Sequence, residues 1–416
     1  MEVADGIDVI SNVGVSRSMH GGRHSRRLCV TSLVATISAL LVSDALSALG
    51  DDTAAATVPR ALDWRPLPPV PDPIGVAGPF VGVHNGVLIL AGGANFAVAN
   101  SPHLWDVPKQ FHPSAFVLTR SSDGSYSWRT GFSLDRPRAY GACVSTPAGV
   151  VCIGGDDGTQ AFSDTFLLTW NRATGRLTQS PLPTRPTPST AGGAAFVGNH
   201  VYLVAGQHET GLESAGDHFW RLDISRHRDA QLAWEPMPPI PGGPRAYPLV
   251  TSCQNDIGNS VYVIGGRRQK AGVRGTSGIE VLADLHEFSP SRFAADPPSA
   301  WRTCAAPPTP LMAGTAIGLG DRDLFVVAAD DGSQLESAAA DPEFVKRHPG
   351  FPRRAWAYDT RADAWSPAGE TPACLVTTPA VWFDSGIVVV SGEVRPRVRS
   401  CEAWWISPRI GVAAPR

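Results

Sequence analysis

Short apolar runs, not long amphipathic periods, set the rhythm of this chain. One phrase recurs: an apolar, mostly β-branched run, then small residues, then a polar side chain. It occurs at Leu88 to Asn95, Val151 to Asp156, Val201 to Gln207, Val261 to Arg267, Leu324 to Asp330 and Ile387 to Glu393. Continuous apolar runs bounded by Gly, Pro, Asn and Asp predict central strands buried on both faces. A strand of small residues precedes the phrase, as in Gly75 to Val83 and Arg138 to Val144. A strand carrying an aromatic follows it, at Phe116, Phe166, Trp220, Phe288, Trp356 and Trp404. A proline-rich tryptophan phrase closes each set, as around Trp234, Trp301 and Trp365.

The unit returns every ~50–60 residues, near the period of kelch repeats. Four antiparallel strands cannot bury both faces alone, but six such units stacked radially can. The predicted fold is therefore all-β, a six-bladed kelch-type β-propeller. Small residues suit inner strands that crowd the axis, and tryptophans fill the space between blades. The ends do not match the blades. The last unit, Ala380 to Ile406, lacks its tryptophan phrase, while Leu62-Asp63-Trp64 stands before blade one with nothing to join. The Trp64 strand should thus complete the last blade and remove an exposed sheet edge.

Composition narrows the partners. The 416 residues carry 35 Lys and Arg against 38 Asp and Glu, a net charge of -3. That balance gives no reason to expect nucleic acid or an anionic membrane as partner. Arg26-Arg27, the apolar stretch Leu28 to Val42 and the small residues after it have the order of an export signal, and the stretch is short for a membrane span. Residues 1–56 are accordingly read as a signal peptide or disordered leader, residues 57–416 as the propeller, and the protein as an exported monomer, periplasmic or secreted. The seven cysteines include no CxxC spacing, and the histidines are scattered, so neither a metal nor a cofactor is expected. Cys143 and Cys152 flank one turn and are read as free buried thiols facing across a hairpin.

In a four-stranded meander, the loop into strand one and the loop out of strand two lie at the same end. That end should gather Asn95, Asp156, Asp157, Gln207, His208, Arg267, Asp330, Asp331 and Glu393 from strand two. From strand one come Arg138 with Tyr140 and Arg245 with Tyr247, each in a Pro-Arg-Ala-Tyr phrase. A mouth of carboxylates and guanidiniums suits a small polar, anionic ligand. Single aspartates after glycine turns also cap turns, and arginines also pair with them, so each residue has a structural alternative. Two insertions, Ala97 to His112 and Asp331 to Arg353, leave from the same end, and long loops there often serve as lids.

The phrase Ser391-Gly-Glu-Val-Arg-Pro-Arg-Val-Arg-Ser400, with the hairpin Pro73 to Phe96 and the pair Arg138-Ala-Tyr-Gly141 and Ile153-Gly-Gly155, resembles the kelch-type N-acetylneuraminate epimerases, or sialic acid mutarotases. The likeness is to their cyclically permuted branch, because the glutamate phrase stands at the far end of the chain instead of before the first hairpin. The resemblance implies that Glu393 is the proton acceptor and Arg399 its companion. It implies a cofactor-independent isomerase acting on an acidic, sialic acid-like sugar. Where that family has glycine after the proline, this chain has Arg397. Ring opening needs a base at the anomeric hydroxyl and an acid at the ring oxygen. Glu393 is the expected base; Arg138, Arg245 and Arg399 are expected to hold the sugar carboxylate, and Tyr140, Asn95, Asp156, Gln207, Arg267 and Asp331 to line the site. For the acid, water, Tyr140 and Asp156 stay open. Two other classes remain: a non-catalytic propeller binding a sugar or a protein, and an oxidoreductase or lyase acting on another acidic sugar.

Overall fold

The computed structural model describes residues 60–99, 101–273, 275–319 and 322–410, all within one unit, Ala56–Arg416. The expected leader and its export signal lie outside the described residues. Six four-stranded antiparallel sheets stand around an axis. Their inner strands are Phe80–His84, Ala142–Thr146, Gly193–Val197, Leu249–Asn255, Met312–Leu319 and Ala380–Phe383. Each inner strand touches the next, and the sixth touches the first, so the ring is closed. The second strands are the apolar runs: Val87–Ala91, Gly149–Ile153 and Gly386–Val390 are buried at every position.

The closure follows the sequence expectation. Arg60–Leu67 is the outermost strand of the sixth blade and pairs with Ala403–Ile410, Trp64 standing opposite Ile406. Tryptophans tie the other blades together. Indole N–H groups on outer strands donate to carbonyls of the preceding blade: Trp128 to Pro68 at 2.9 Å, Trp234 to Pro183 at 3.0 Å, Trp301 to Pro238 at 3.1 Å and Trp365 to Ala305 at 2.9 Å. A large ring with a polar handle suits that seam, because it fills the gap and satisfies a carbonyl there. The apolar clusters between sheets draw on adjacent blades; Phe80, Ile89 and Val117 of blade one pack with Val150, Cys152 and Phe166 of blade two. Cys143 and Cys152 face each other in register, both with free thiols, and burial pushes the Cys143 thiol up to about 12.

Candidate functional site

One residue of each blade, just before its inner strand or, for Ala313, at the strand's start, has a left-handed backbone: Gly78, Tyr140, Ala191, Tyr247, Ala313 and Thr377, with φ between 52° and 66°. Each N–H donates to the carbonyl of its counterpart in the preceding blade, at 2.6–3.0 Å, and Gly78 donates to Thr377. The six bonds form a closed circle about the axis. The left-handed conformation costs roughly 1–2 kcal/mol per non-glycine residue; the circle sustains it by giving otherwise buried amides and carbonyls their partners. On the strand side of the circle lies an axial channel of about 330 Å³, lined by small and apolar residues with no charged side chain. The charged groups gather beyond the circle, at the glycine-phrase end.

The circle fixes where those groups stand. The residue preceding each circle position pairs, backbone to backbone, with the residue that follows the small pair: Ala77 with Ala94, Ala139 with Asp156, Thr190 with Gln207, Ala246 with Arg267, Met312 with Asp330, and Val376 with Glu393. Six equivalent positions thus surround the mouth. In five of the six phrases glycine holds the second small position. At Gly392 a Cβ would come within 2.8 Å of the Val376 carbonyl, and φ is +116°.

Glu393 opens a two-stranded hairpin, Glu393–Arg395 with Val398–Arg399, in which Glu393 and Arg399 are opposite. Glu393 Oε1 lies 2.5 Å from Arg399 Nη1 and accepts the Arg397 backbone N–H at 2.7 Å. Arg399 Nε donates to the Ala94 carbonyl at 3.1 Å and Nη2 to the Tyr140 hydroxyl at 3.4 Å. Burial opposes the charge on Arg399, but the Glu393 carboxylate outweighs it and the pKa moves up. Ser391, fully buried, bridges the base of the hairpin to blade one, accepting from the Val76 N–H at 2.7 Å.

The hairpin turn is bolted to the first insertion. Arg397 has φ +67°, a conformation that suits the glycine of the related phrase. Its guanidinium lies 3.9 Å from the centre of the Phe96 ring and 5.1 Å from that of Trp105, and donates to the carbonyls of Leu104 at 3.0 Å and Val107 at 2.5 Å. Phe96, Leu104 and Val398 form a small buried cluster beneath it. The insertion itself begins as a hairpin, Ala94–Phe96 with Lys109–Phe111, and brings Lys109 Nζ 4.9 Å from the centre of the Tyr140 ring. Phe111 meets Tyr140 edge-on at 6.4 Å, and Tyr140 meets Tyr247 at 6.3 Å. Arg267 lies over Tyr247 at 4.5 Å, and its buried Nε finds no hydrogen-bond partner among the described residues.

These surroundings move the titrations apart. Burial pushes Tyr140 and Tyr247 up to about 12. Burial also raises Asp156, against the Thr190 hydroxyl at 2.5 Å and the Gly158 N–H at 3.0 Å. Asp330 rises to about 6, from burial first and from the charges of Asp331 and Glu393 after it, against the Gly332 N–H. A carboxyl whose pKa is raised toward neutral pH, under the influence of an ion-paired carboxylate, is the pattern from which acid and base roles arise.

Several residues of the sequence reading do not hold mouth positions. Arg138 and Arg245 are fully buried. Arg138 Nη2 is 2.9 Å from Asp164 and 3.3 Å from Asp135, and its guanidinium lies 4.8 Å from the centre of the Phe166 ring. Arg245 makes a two-pronged pair with Asp284 at 2.8 and 2.9 Å and also donates to the carbonyls of Gly265 and Pro241. Both therefore knit their own blades instead of meeting a ligand. Asn95 and Asp331 stand one residue past the mouth position. Asn95 is buried, donating to the Gly75 carbonyl at 3.0 Å, with His112 Nε2 2.6 Å from its carbonyl oxygen. Asp331 caps the following turn through the Ser333 N–H at 2.9 Å, as Asp157 does for Thr159 and Gln160. Asp156, Gln207, Arg267 and Glu393 hold mouth positions, and Tyr140 stands on the circle.

The sequence reading of the site omitted Lys109 and Phe111, which come from an insertion without repeat period. Among the described residues no group of three or more His, Cys, Asp or Glu is placed to hold a metal ion.

No family model matches the chain. It is similar to a Vibrio cholerae protein named N-acetylneuraminate epimerase, 36% identical over 122 residues, 27% of this chain and 31% of that protein. A Haemophilus influenzae protein of the same name is 23% identical over 241 residues, 53% of this chain and 57% of that one. The matches thus span about a third to somewhat over half of those relatives. Among solved structures, one described as "Structure of YjhT" superposes with a TM-score of 0.57 at 13% identity, covering 82% of this chain and 99% of that one, a likeness of fold.

Proposed function

We propose that the protein is a mutarotase that interconverts the anomers of N-acetylneuraminic acid or a closely related acidic sugar. The observation that carries this reading is the Glu393–Arg399 pair, 2.5 Å apart beside Tyr140. It coincides with similarity to proteins named N-acetylneuraminate epimerase. In the proposed reaction Glu393 takes the anomeric hydroxyl proton, its orientation held by Arg399 and the Arg397 N–H. The ring C–O bond breaks as the ring oxygen gains a proton, and the reverse steps close the ring on the other face. Asp330 is the acid: it occupies the mouth position in the blade next to Glu393, and its carboxyl, held up at about 6, keeps a protonated fraction near neutral pH that an ordinary aspartate lacks. Arg267 and Lys109, with cationic heads over Tyr247 and Tyr140, take the place of Arg138 and Arg245 as the groups that receive the sugar carboxylate.

The test is NMR exchange spectroscopy on pure α anomers of a panel of acidic sugars. General-base catalysis is worth about 10²- to 10⁴-fold, so Glu393→Gln should slow exchange by that order while remaining folded. Exchange as fast in Glu393→Gln as in the parent would sink the proposal, as would binding of the sugar with no acceleration.

A further inference from the structure

Blades two and four share a device. A buried guanidinium, Arg138 or Arg245, pairs with an aspartate one residue before the third strand's pairing with the second begins: Asp164 precedes the Thr165–Ile153 pair, and Asp284 precedes the Leu285–Ile264 pair. In blade three the third strand starts earlier, at Ala215 opposite Gln207, and a bulge interrupts the register before Phe219 pairs with Val204; the residue at that bulge, next to Phe219, is His218. A buried guanidinium is present there too. Arg185 is 3% exposed, with its guanidinium 5.7 Å from the centre of the Trp220 ring. Its Nη2 has a 3.5 Å contact with the Thr187 hydroxyl. Nε and Nη1 are sealed from solvent with no partner among the described residues, and so is His218 Nε2.

A guanidinium stays charged wherever it is placed, and a buried charge without a counter-charge is among the most costly arrangements a fold can hold. Burial lowers Arg185 to about 10, with no neighbouring carboxylate opposing the shift. Burial and the nearby Arg185 charge likewise lower His218 to about 4. Both groups are donors or potential donors, close enough for the Arg185 charge to act on His218, in the blade that lacks the aspartate its two sister blades use.

We propose that blade three binds a small monovalent anion of the chloride class between Arg185 and His218, in the place of the missing aspartate. A small monovalent anion suits donors that are shielded from solvent, because a multiply charged phosphate would cost far more to strip of its water. The site is structural and separate from the mouth.

Thermal unfolding of the full chain in sodium chloride against sodium gluconate, at fixed ionic strength, tests this. The parent Tm should rise by a few degrees with chloride and then saturate, as ligand linkage requires. His218→Asp supplies the carboxylate covalently, so its Tm should be raised and indifferent to chloride. Arg185→Met removes the charge and should lose the chloride response as well, which decides the matter should the first variant not fold. Bromide soaked into crystals should give an anomalous peak beside Arg185. A parent indifferent to chloride, a response retained in both variants, or bromide absent from this place would overturn the proposal.

Discussion

Arg245→Met separates the two roles open to this guanidinium. The change removes a fully buried cation whose two-pronged partner, Asp284, has a side chain 25% exposed. Removing one member of a buried pair strands the other and typically costs 3–5 kcal/mol. Here His286 Nε2, 3.0 Å from Asp284, still supports the carboxylate, so the lower end, about 3 kcal/mol, is expected. A second route gives a similar size. Burial works to raise the Asp284 pKa, but the bonds from His286 and Arg245 overcome it and hold it at about 2, against 3.8. That depression is worth about 2 kcal/mol. Its sign is that of a depressed acid: the stabilisation is fully present above pH 3.8 and is lost as pH falls toward 2. Calorimetry or urea unfolding at pH 7 should show the loss, a Tm drop of about 4 °C for a domain of this size. Below pH 3 the gap between parent and variant should shrink. The KM for the proposed sugar substrate should stay within twofold. An unchanged Tm with KM raised tenfold would refute the structural role and restore Arg245 to the ligand.

Three further outcomes follow from the geometry. The parent's kcat should decline as pH rises through about 6, and Asp330→Asn should abolish that decline; because a carboxyl pKa raised from 3.8 weakens the fold progressively between pH 3.8 and about 6, the variant should also be more stable than the parent at pH 8 and equal to it at pH 3. Arg397→Gly relieves the left-handed backbone, worth about 1 kcal/mol, yet unties the insertion; proteolysis between 101 and 108 should accelerate and KM rise, whereas a cleavage rate equal to the parent's would remove the clamp from the account. Deleting residues up to Leu67 bares the edge of Ala403–Ile410, and light scattering should detect association of the shortened chain; a monomer with unchanged Tm would show that the closing strand does not matter.

The blades were legible because a period of apolar runs survives any side-chain detail. The closing strand was legible because an orphan tryptophan phrase and an unfinished last unit can only answer each other. Register was harder. In blade one two glycines precede Ala94, so the mouth position carries a methyl group and the conspicuous Asn95 falls one place beyond it. In blade five Ala328-Ala329 replaces the glycines, and two adjacent aspartates left the choice between 330 and 331 open to error. Arg138 and Arg245 misled for another reason: the phrase fixes their backbone, while the aspartates that capture their side chains stand just before the third strand, well removed in sequence. Lys109 was invisible because an insertion carries no repeat from which to read its direction.

The circle of six amides has one more consequence. Every link passes from one blade to its predecessor in the same rotational sense, so around the axis the in-plane peptide dipoles chase one another and their vectors cancel. A ligand resting above would therefore meet a floor with no lateral pole of its own. Which way it lies would be decided by the unequal crown of side chains above it, where one blade offers only a methyl group and the others offer a carboxyl, an amide or a guanidinium.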